Sequence, residues 1–252
     1  MDKTNFQLFC ANLAKITSAI ALIMTYIWAK TDDLEEKYLG GLNWHDKVFN
    51  WHPVLMIAGL GFSFTWGLTS FRNPLFSKPI NKGLHAIFYI LAIVCFSVGL
   101  KAVWKSHDQD PKAYKANLYS LHSWIGLIAV LLFGQNFLLG IFHFLVPSTP
   151  VENRQSYMPY HIFFGAFSFV TSIVAIETGL VEKTTFQGCG YKVTEKDSNP
   201  AEHYKDIPDG CKLSEGVGIM IYITAMLALF SIWEFRSTKP ASTEESKYLL
   251  GR

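Results

Sequence analysis

Six long apolar stretches, separated by charged segments, constrain the fold of this 252-residue chain more than any other feature. A helix needs about 20 residues to cross the hydrocarbon core of a bilayer, which is about 30 Å thick. Hydrophobic residues make up 50% of the chain, which is typical of a membrane protein. The predicted spans are 8–29, 48–70, 83–104, 118–146, 159–181 and 216–235. The sequence therefore predicts an all-α bundle of six transmembrane helices, forming a single domain over residues 1–252.

An even number of spans puts both termini on one side of the membrane, here named side A. Side A also holds segments 71–82 and 147–158, and the opposite side, side B, holds 30–47, 105–117 and 182–215. Lysine and arginine are nearly balanced between the two sides, so their number alone does not orient the chain. Side B is nevertheless net acidic, whereas side A is net basic and holds all four arginines. This asymmetry predicts that side A is cytosolic.

The four cysteines give a second indication of topology. Cys10 and Cys95 lie within apolar stretches, where a cysteine acts as a small hydrophobic residue. Cys189 and Cys211 are the only pair in an aqueous segment, and both lie on side B. A disulfide between them requires an oxidising lumen or exterior. Both indications therefore make side B the non-cytosolic side.

Four histidines lie about one turn inside four consecutive predicted helices: His52, His85, His122 and His161. Because successive helices run in opposite directions, these positions alternate between the two sides of the membrane. His52 and His122 are therefore expected to share a level near side B, and His85 and His161 a level near side A. The spacing predicts two histidine pairs at two depths.

Buried pairs of imidazoles point to a cofactor. An ionisable side chain within the bilayer is costly unless it faces the bundle interior and finds a partner. One such histidine is explained by a hydrogen bond between helices, but four at the same relative depth are not. Zinc usually takes four ligands, often with cysteine or carboxylate among them. Haem iron takes two axial ligands beyond its porphyrin, so each pair fits one bis-histidine haem.

Small residues recur at fixed distances from three of these histidines. Gly126 and Gly165 follow His122 and His161 by one helical turn, on the same helix face. Five turns beyond His52, His122 and His161 lie three more small residues: Ser70, Gly140 and Gly179. These positions are expected to leave room for a porphyrin, although close helix packing in membranes uses the same residues.

The motifs "FNWHPVLM", "KPINKGLHA", "NLYSLHSWIG" and "PYHIFFG" resemble the cytochrome b561 family of ascorbate-dependent di-haem transmembrane reductases. The resemblance covers about residues 38–181. It implies a four-helix core of helices 2 to 5, at 48–181, that holds two haem b groups in a homodimer. It also implies electron transfer from cytosolic ascorbate to a lumenal or extracellular acceptor, either ferric ion or monodehydroascorbate. By this resemblance His52 and His122 ligate the non-cytosolic haem iron, and His85 and His161 the cytosolic one.

The expected donor site lies on side A. Lys78 and Lys82 precede His85, and Arg72 and Arg154 lie on the same side. A cationic mouth attracts an anion such as ascorbate, although lysines that flank a membrane also extend towards lipid headgroups. Lys78 and Lys82 match the ascorbate-binding lysines of plant family members, Arg154 is a further substrate-binding candidate, and Arg72 is a cofactor-binding candidate. Lys82 is also the candidate group that helps to remove the ascorbate proton.

The expected acceptor site lies on side B. His107 matches the family's lumenal substrate histidine and is the catalytic candidate there. Asn117 and Tyr119 are candidates for substrate binding, and Ser120 for holding a haem propionate. The sequence departs from the family in "YLGGLNW", where Leu39 replaces a basic residue, and in a longer last loop on side B. Both departures concern the side on which the acceptor binds.

The C-terminal tail, 236–252, is polar and is predicted to be disordered and cytosolic. In it, Glu245 precedes Leu249 and Leu250 at the spacing of an acidic dileucine sorting signal. This pattern predicts an endosomal or lysosomal membrane, with the plasma membrane as the alternative.

Two other classes of function compete with a cytochrome. One is a proton-coupled metal transporter that uses the intramembrane histidines, and the other is a structural membrane protein with histidine hydrogen bonds. A reduced-minus-oxidised visible spectrum separates them, because only the cytochrome has two haems per chain. The predicted partners are ascorbate, its electron acceptor, membrane lipid and a second copy of the chain, without nucleic acid.

Overall fold

The computed structural model describes residues 3–72, 75–109, 115–190 and 207–233, and within these ranges it is helical and contains no strand. Six helices in this part of the chain are long and apolar enough to cross a membrane, as predicted. They are α1 Lys3–Lys30, α2 Val48–Arg72, α3 Lys78–His107, α4 Leu121–Leu145, α5 Val151–Phe186 and α6 Asp209–Ile232.

Four helices, α1, α3, α5 and α6, begin earlier than the apolar stretches indicate. Helix α3 begins at Lys78. Helix α5 begins before Pro159, which lies inside it, and ends beyond residue 181, so it is longer than predicted at both ends. Proline is tolerated at the start of a helix and disfavoured inside it, so Pro159 was a plausible but wrong starting point. As a consequence His85 and His161 lie about two or more turns inside their helices, whereas His122 directly follows Leu121, the first residue of α4. The prediction of one turn is therefore correct only for His52.

Helix α2 lies at the centre of the bundle and contacts α1, α3, α5 and α6. Its middle, Ile57–Ser63, is a π-helical segment, a local widening that is frequent at functional sites. Gly59 brings α2 close to α3, because an added Cβ would lie 3.0 Å from the Ala92 carbonyl oxygen. Gly61 faces α6 in the same way, with Ile221 at 3.1 Å. The close approach on two faces lets α2 contact four helices at once: α1, α3, α5 and α6.

The two outer helices, α1 and α6, pack extensively against each other. The hydroxyls of Thr17 and Thr224 share a buried hydrogen bond of 2.7 Å. Near side A, Gln7 donates to the carbonyl of Trp233 at 2.6 Å. The outer pair therefore closes one flank of the α2–α5 core.

One aromatic ring from each core helix meets at the middle of the core. The ring of Phe64 in α2 packs edge-on against Tyr89, Phe133 and Phe169, from α3, α4 and α5, with ring centres 5.3, 4.8 and 5.2 Å away. All four side chains are buried. This aromatic layer separates the side-A half of the core from the side-B half.

The side-B ends of the helices are tied together. Cys189, just beyond α5, forms a disulfide with Cys211 at the start of α6, with Cα atoms 5.8 Å apart. The Gln187 side chain donates to the carbonyl of Lys37 in the α1–α2 connection at 2.8 Å. These links fix the α1–α2 connection over the ends of α5 and α6.

The α1–α2 connection is itself held by Asn50, which donates to the carbonyls of Leu39 and Gly41 at 2.7 Å each. Gly40 and Gly41 have positive φ values of 83° and 104°, a conformation that favours glycine. Leu39, which stands where the family usually has a basic residue, is 5% exposed and packs in the core. This position therefore adds no charge to side B.

Candidate haem-binding sites

Helices α2 and α4 bring His52 and His122 together on the side-B half of the core. Their ring centres are 6.1 Å apart and the rings are nearly perpendicular. The Nδ1 of His52 donates to the Gly99 carbonyl of α3 at 3.1 Å, and the Nδ1 of His122 donates to the Ala175 carbonyl of α5 at 2.8 Å. Each ring is therefore held by a neighbouring helix and keeps its Nε2 available as a ligand.

Helices α3 and α5 bring His85 and His161 together on the side-A half, again with ring centres 6.1 Å apart. The Nδ1 of His85 donates to the Gly67 carbonyl of α2 at 2.9 Å. The same carbonyl accepts a bond of 2.8 Å from Ser70. The Nδ1 of His161 is buried without a hydrogen-bond partner among the described residues. The spacing of the four histidines thus leads to the two pairs that were expected.

The geometry of both pairs fits a metal held between two imidazoles. A metal–imidazole bond is about 2 Å long, so two rings on opposite faces of one ion have centres about 6 Å apart. Hydrogen bonds from Nδ1 to carbonyl oxygens fix the ring orientation and the tautomer that leaves Nε2 free. Among the residues that the structure describes, three or more His, Cys, Asp or Glu side chains nowhere form a group that could hold a metal ion. A site built from one imidazole pair suits haem iron better than a four-ligand zinc ion.

The side-B pair opens into a cavity of about 910 Å³, lined by His52, His122, Gly126 and Gly179 among others. A Cβ added to Gly126 would meet nothing within 4 Å, so this glycine borders open space, as a planar cofactor requires. At Gly179 an added Cβ would lie 2.6 Å from Cε1 of His122. This glycine therefore makes room for an imidazole of the neighbouring helix.

Two further glycines also face a side chain of the neighbouring helix. An added Cβ at Gly140 would lie 3.0 Å from Cε1 of His161, and one at Gly165 would lie 3.2 Å from the amide nitrogen of Asn136. Both face side chains of the neighbouring helix in the α4–α5 pair. Three of the four glycines of this pattern thus lie where α4 and α5 fit closely around their histidines, and Gly126 and Gly179 line the side-B cavity.

On side A the predicted donor residues contact the end of α4. Lys82 donates to the Phe144 carbonyl at 2.6 Å, and the Phe144 ring lies 5.1 Å from that of His161. Arg154 donates to three carbonyls, those of Thr149, Val146 and Pro147. Lys78 lies close enough to Lys82 for their charges to repel, and Arg72 is the last residue of α2. The structure therefore brings Lys78, Lys82 and Arg154 to the same end of the bundle as His85 and His161.

On side B, His107 donates through Nδ1 to the Asn117 side chain at 2.7 Å, and both line the cavity. Tyr119 and Ser120 both donate to the carboxylate of Glu182, at 2.7 and 2.8 Å. Partial burial, together with the hydrogen bond and charge of Glu182, raises the pKa of Tyr119 to about 12. The phenol is therefore protonated and donates to Glu182 at every physiological pH.

Sequence reasoning missed Glu182, which joins the start of α4 to the end of α5. Its position had been assigned to a long charged loop, in which one acidic residue among many carries no signal. The continuation of α5 to Phe186 places it opposite Tyr119 and Ser120. Only the pairing of the two helices could have identified it.

The remaining histidines lie outside the two pairs. His143, near the end of α4, stacks on Tyr157 of α5 with ring centres 4.0 Å apart. The backbone N–H of His45 donates to the side chain of Asn43 in the α1–α2 connection. His203 lies outside the described residues. Among the described residues, neither His45 nor His143 has another histidine ring opposite it at the spacing of the two pairs.

Six membrane-spanning helices around two intramembrane histidine pairs define an integral membrane protein of the haem-binding class. The sequence profile of eukaryotic cytochrome b561 matches residues 51–187. The chain belongs to the eukaryotic cytochrome b561 family, whose members bind b-type haem, and its imidazole pairs are suited to that group.

Several curated proteins resemble the chain over most of its length. The human lysosomal membrane ascorbate-dependent ferrireductase CYB561A3 is 31% identical over 235 residues, which cover 91% of this chain and 89% of the relative. The bovine transmembrane ascorbate-dependent reductase CYB561 is 32% identical over 237 residues, which cover 92% and 84%. The Arabidopsis thaliana transmembrane ascorbate ferrireductase 1 is 30% identical over 178 residues, which cover 69% and 71%.

The contact at Gly179 gives a test of the side-B pair. Gly179→Ala would place a methyl group against the His122 ring, so we expect loss or distortion of one haem signal in the low-temperature electron paramagnetic resonance spectrum. Gly134→Ala is the matched control, because a Cβ at Gly134 of α4 meets nothing within 4 Å. An unchanged spectrum in Gly179→Ala would contradict the tight packing of His122 against α5.

Proposed function

We propose that this protein is an ascorbate-dependent transmembrane oxidoreductase, which carries electrons from ascorbate on side A to an acceptor on side B. The observation that carries this proposal is the presence of two histidine pairs at two depths, each with its rings 6.1 Å apart. His52 and His122 hold one b-type haem, and His85 and His161 hold the second. When bound, the haems supply one-electron chemistry between the ferric and ferrous states.

The donor site is formed by the basic residues at the side-A end. Lys78, Lys82 and Arg154 give this end a positive potential that attracts the ascorbate anion. Lys82 links the site to the haem-binding residues, because the Phe144 carbonyl that it binds belongs to a residue whose ring contacts His161. Ascorbate releases a proton when it gives up an electron, and Lys82 is the group we assign to assist that release. Arg72, at the end of α2, is assigned to the cofactor on this side.

The acceptor site is the side-B mouth of the cavity. His107 and Asn117 are hydrogen-bonded to each other there and line the same cavity as His52 and His122. Tyr119 and Ser120 border this mouth, and Ser120 remains our candidate for a haem propionate contact. The acceptor is ferric ion or monodehydroascorbate. The human and Arabidopsis relatives named as ferrireductases support ferric ion.

Side A is the cytosolic side in this proposal, so both termini are cytosolic. The Cys189–Cys211 disulfide on side B supports this orientation, because disulfides persist in lumenal and extracellular compartments. The membrane is endosomal or lysosomal, as the names of several vertebrate relatives suggest. Leu249 and Leu250, which lie outside the described residues, are the proposed sorting signal.

We also propose a homodimer in the membrane. Large apolar side chains on the outer faces of α3 and α4 are exposed in the single chain, among them Ile90, Val94, Leu131 and Leu138. Such side chains suit contact with lipid or with a second copy.

The haem ligands can be separated by mutation. His85→Ala or His161→Ala should lose one of two haems per chain and most of the reduction by ascorbate, because the site nearest the donor is removed. His52→Ala or His122→Ala should keep a haem that ascorbate still reduces. Haem content and reduced-minus-oxidised spectra of purified variants measure both effects. Two haems retained in His85→Ala would show that the pairing is wrong.

The donor site can be tested by charge removal. Lys82→Ala, and more weakly Lys78→Ala, should raise the ascorbate concentration for half reduction by about tenfold, the lower end of the range for electrostatic steering. Added salt should have a similar effect on the unmodified protein, because it screens surface charge. Lys105→Ala, which removes a lysine on side B, is the control. Equal kinetics in the Lys78/Lys82 double variant and the parent would exclude a cationic donor site.

Topology and location are tested in cells. A membrane-impermeant maleimide should label Cys189 and Cys211 only from the lumenal side and only after reduction of the disulfide. Leu249→Ala combined with Leu250→Ala should move tagged protein from endosomes or lysosomes to the plasma membrane. Labelling from the cytosol would reverse the orientation, and an unchanged distribution would remove the sorting signal.

A further inference from the structure

Lys183 is a half-buried cation at the side-B mouth that forms no salt bridge with any acidic side chain the structure describes. It lies near the end of α5 and lines the cavity that contains His52 and His122. Its Nζ lies over the Phe49 ring, 4.7 Å from the ring centre. The one salt bridge among the described residues, Lys212–Asp209, lies elsewhere. A buried charge is costly unless it is paired, so a cation that is compensated, in the described part of the chain, by an aromatic face is suited to an anionic ligand.

A second lysine reinforces this site. Lys115 lines the same cavity, and its charge lies close enough to Lys183 to act repulsively on it. Glu182, although adjacent in sequence, accepts hydrogen bonds from Tyr119 and Ser120 and forms no salt bridge with Lys183. The two other formally charged residues of the cavity wall, Asp46 and Lys47, have opposite signs. With Glu182 included, the described cavity wall carries three lysines and two carboxylates, so a positive excess remains, and Lys115 and Lys183 are the lysines that act on each other.

The position of Lys183 relates this charge to the site of electron transfer. The Phe49 ring beneath its ammonium group lies 5.9 Å from the ring of His52. An anion bound to Lys183 would therefore lie one aromatic side chain away from a proposed haem ligand. His107 and Asn117, the proposed acceptor-site residues, line the same cavity.

We propose that Lys115 and Lys183 form a carboxylate-binding subsite for the acceptor, so that ferric ion is taken as an anionic complex with a carboxylate chelator. This inference rests on the proposed function and specifies its substrate class. One electron reduces the ferric ion to ferrous, and ascorbate on side A supplies that electron and loses one proton. No bond to the chelator needs to form or break. The lysines bind the carboxylates of the chelator. An uncomplexed ferric cation has no carboxylate and would be repelled by the lysines.

A haem propionate is also a carboxylate, and the experiment must separate it from the acceptor. The full-length protein in lipid nanodiscs is reduced with ascorbate, or with dithionite in a parallel series, and mixed with an excess of acceptor. Stopped-flow absorbance then follows reoxidation by anionic ferric–EDTA and by cationic hexaammineruthenium(III). The redox potential and the electron paramagnetic resonance spectrum of each variant are recorded in the same preparation.

Lys183→Gln combined with Lys115→Gln should slow reoxidation by ferric–EDTA about tenfold, a typical electrostatic effect on association. Reoxidation by the ruthenium complex should be unchanged or faster, and the potentials should be unchanged. Lys183→Arg should retain most of the rate with ferric–EDTA. Lys105→Gln is the matched control, because Lys105 donates to the Trp44 carbonyl at 2.9 Å and lies outside the cavity wall.

Two results would overturn the subsite. Equal rates in the double variant and the parent would show that the lysines do not bind the acceptor. Equal slowing with both acceptors, a shifted redox potential or a changed resonance spectrum would show that the lysines bind a haem propionate and not the acceptor. Failure of the proposed function gives a different result, because the parent protein would then not be reduced by ascorbate, while the dithionite series would still compare the two acceptors.

Discussion

An imidazole inside a bilayer needs a partner for its N–H group, and this requirement connects the four core helices. His52 of α2 donates to Gly99 of α3, and His85 of α3 donates to Gly67 of α2. Each of these rings is thus fixed by the helix that carries a histidine of the other pair. His122 of α4 is fixed in the same way by α5. The free edge of each ring then faces across the bundle, where the two pairs form.

The fourth histidine breaks this regularity. Ala175 follows His161 by 14 residues, and Asn136 follows His122 by 14 residues, so the two positions correspond in the antiparallel α4–α5 pair. Asn136, however, donates its amide to the His161 carbonyl at 3.3 Å, and its Oδ1 and the His161 Nδ1 are both buried without partners among the described residues. The side-A pair is therefore held less completely than the side-B pair, on the side where ascorbate is proposed to bind.

The two ends of the bundle also use their basic residues differently. On side A, Lys82 and Arg154 donate to carbonyls around the end of α4, where such cations are favoured by the helix dipole. On side B, Lys183 lies over an aromatic ring. Glu182 accepts hydrogen bonds from the hydroxyls of Tyr119 and Ser120, in the segment that leads to His122. The aromatic layer around Phe64 lies between these two ends.

The sequence alone determined the six helices and the two histidine pairs, because hydropathy and antiparallel connectivity fix how many spans exist and at which level each residue lies. It could not determine which helix faces are in contact, since lipid-facing and core-facing residues are both apolar in a membrane protein. For that reason the contacts of Gly140 and Gly179 with histidine rings of the neighbouring helix were not predicted, and Glu182 and Lys183 were assigned to a loop. The start of α5 was also missed, because proline is favoured in the first turn of a helix and Pro159 opens the predicted span, whereas α5 begins at Val151. Contacts between helices decided these features, since a side chain acquires its partner only when two distant segments pack together.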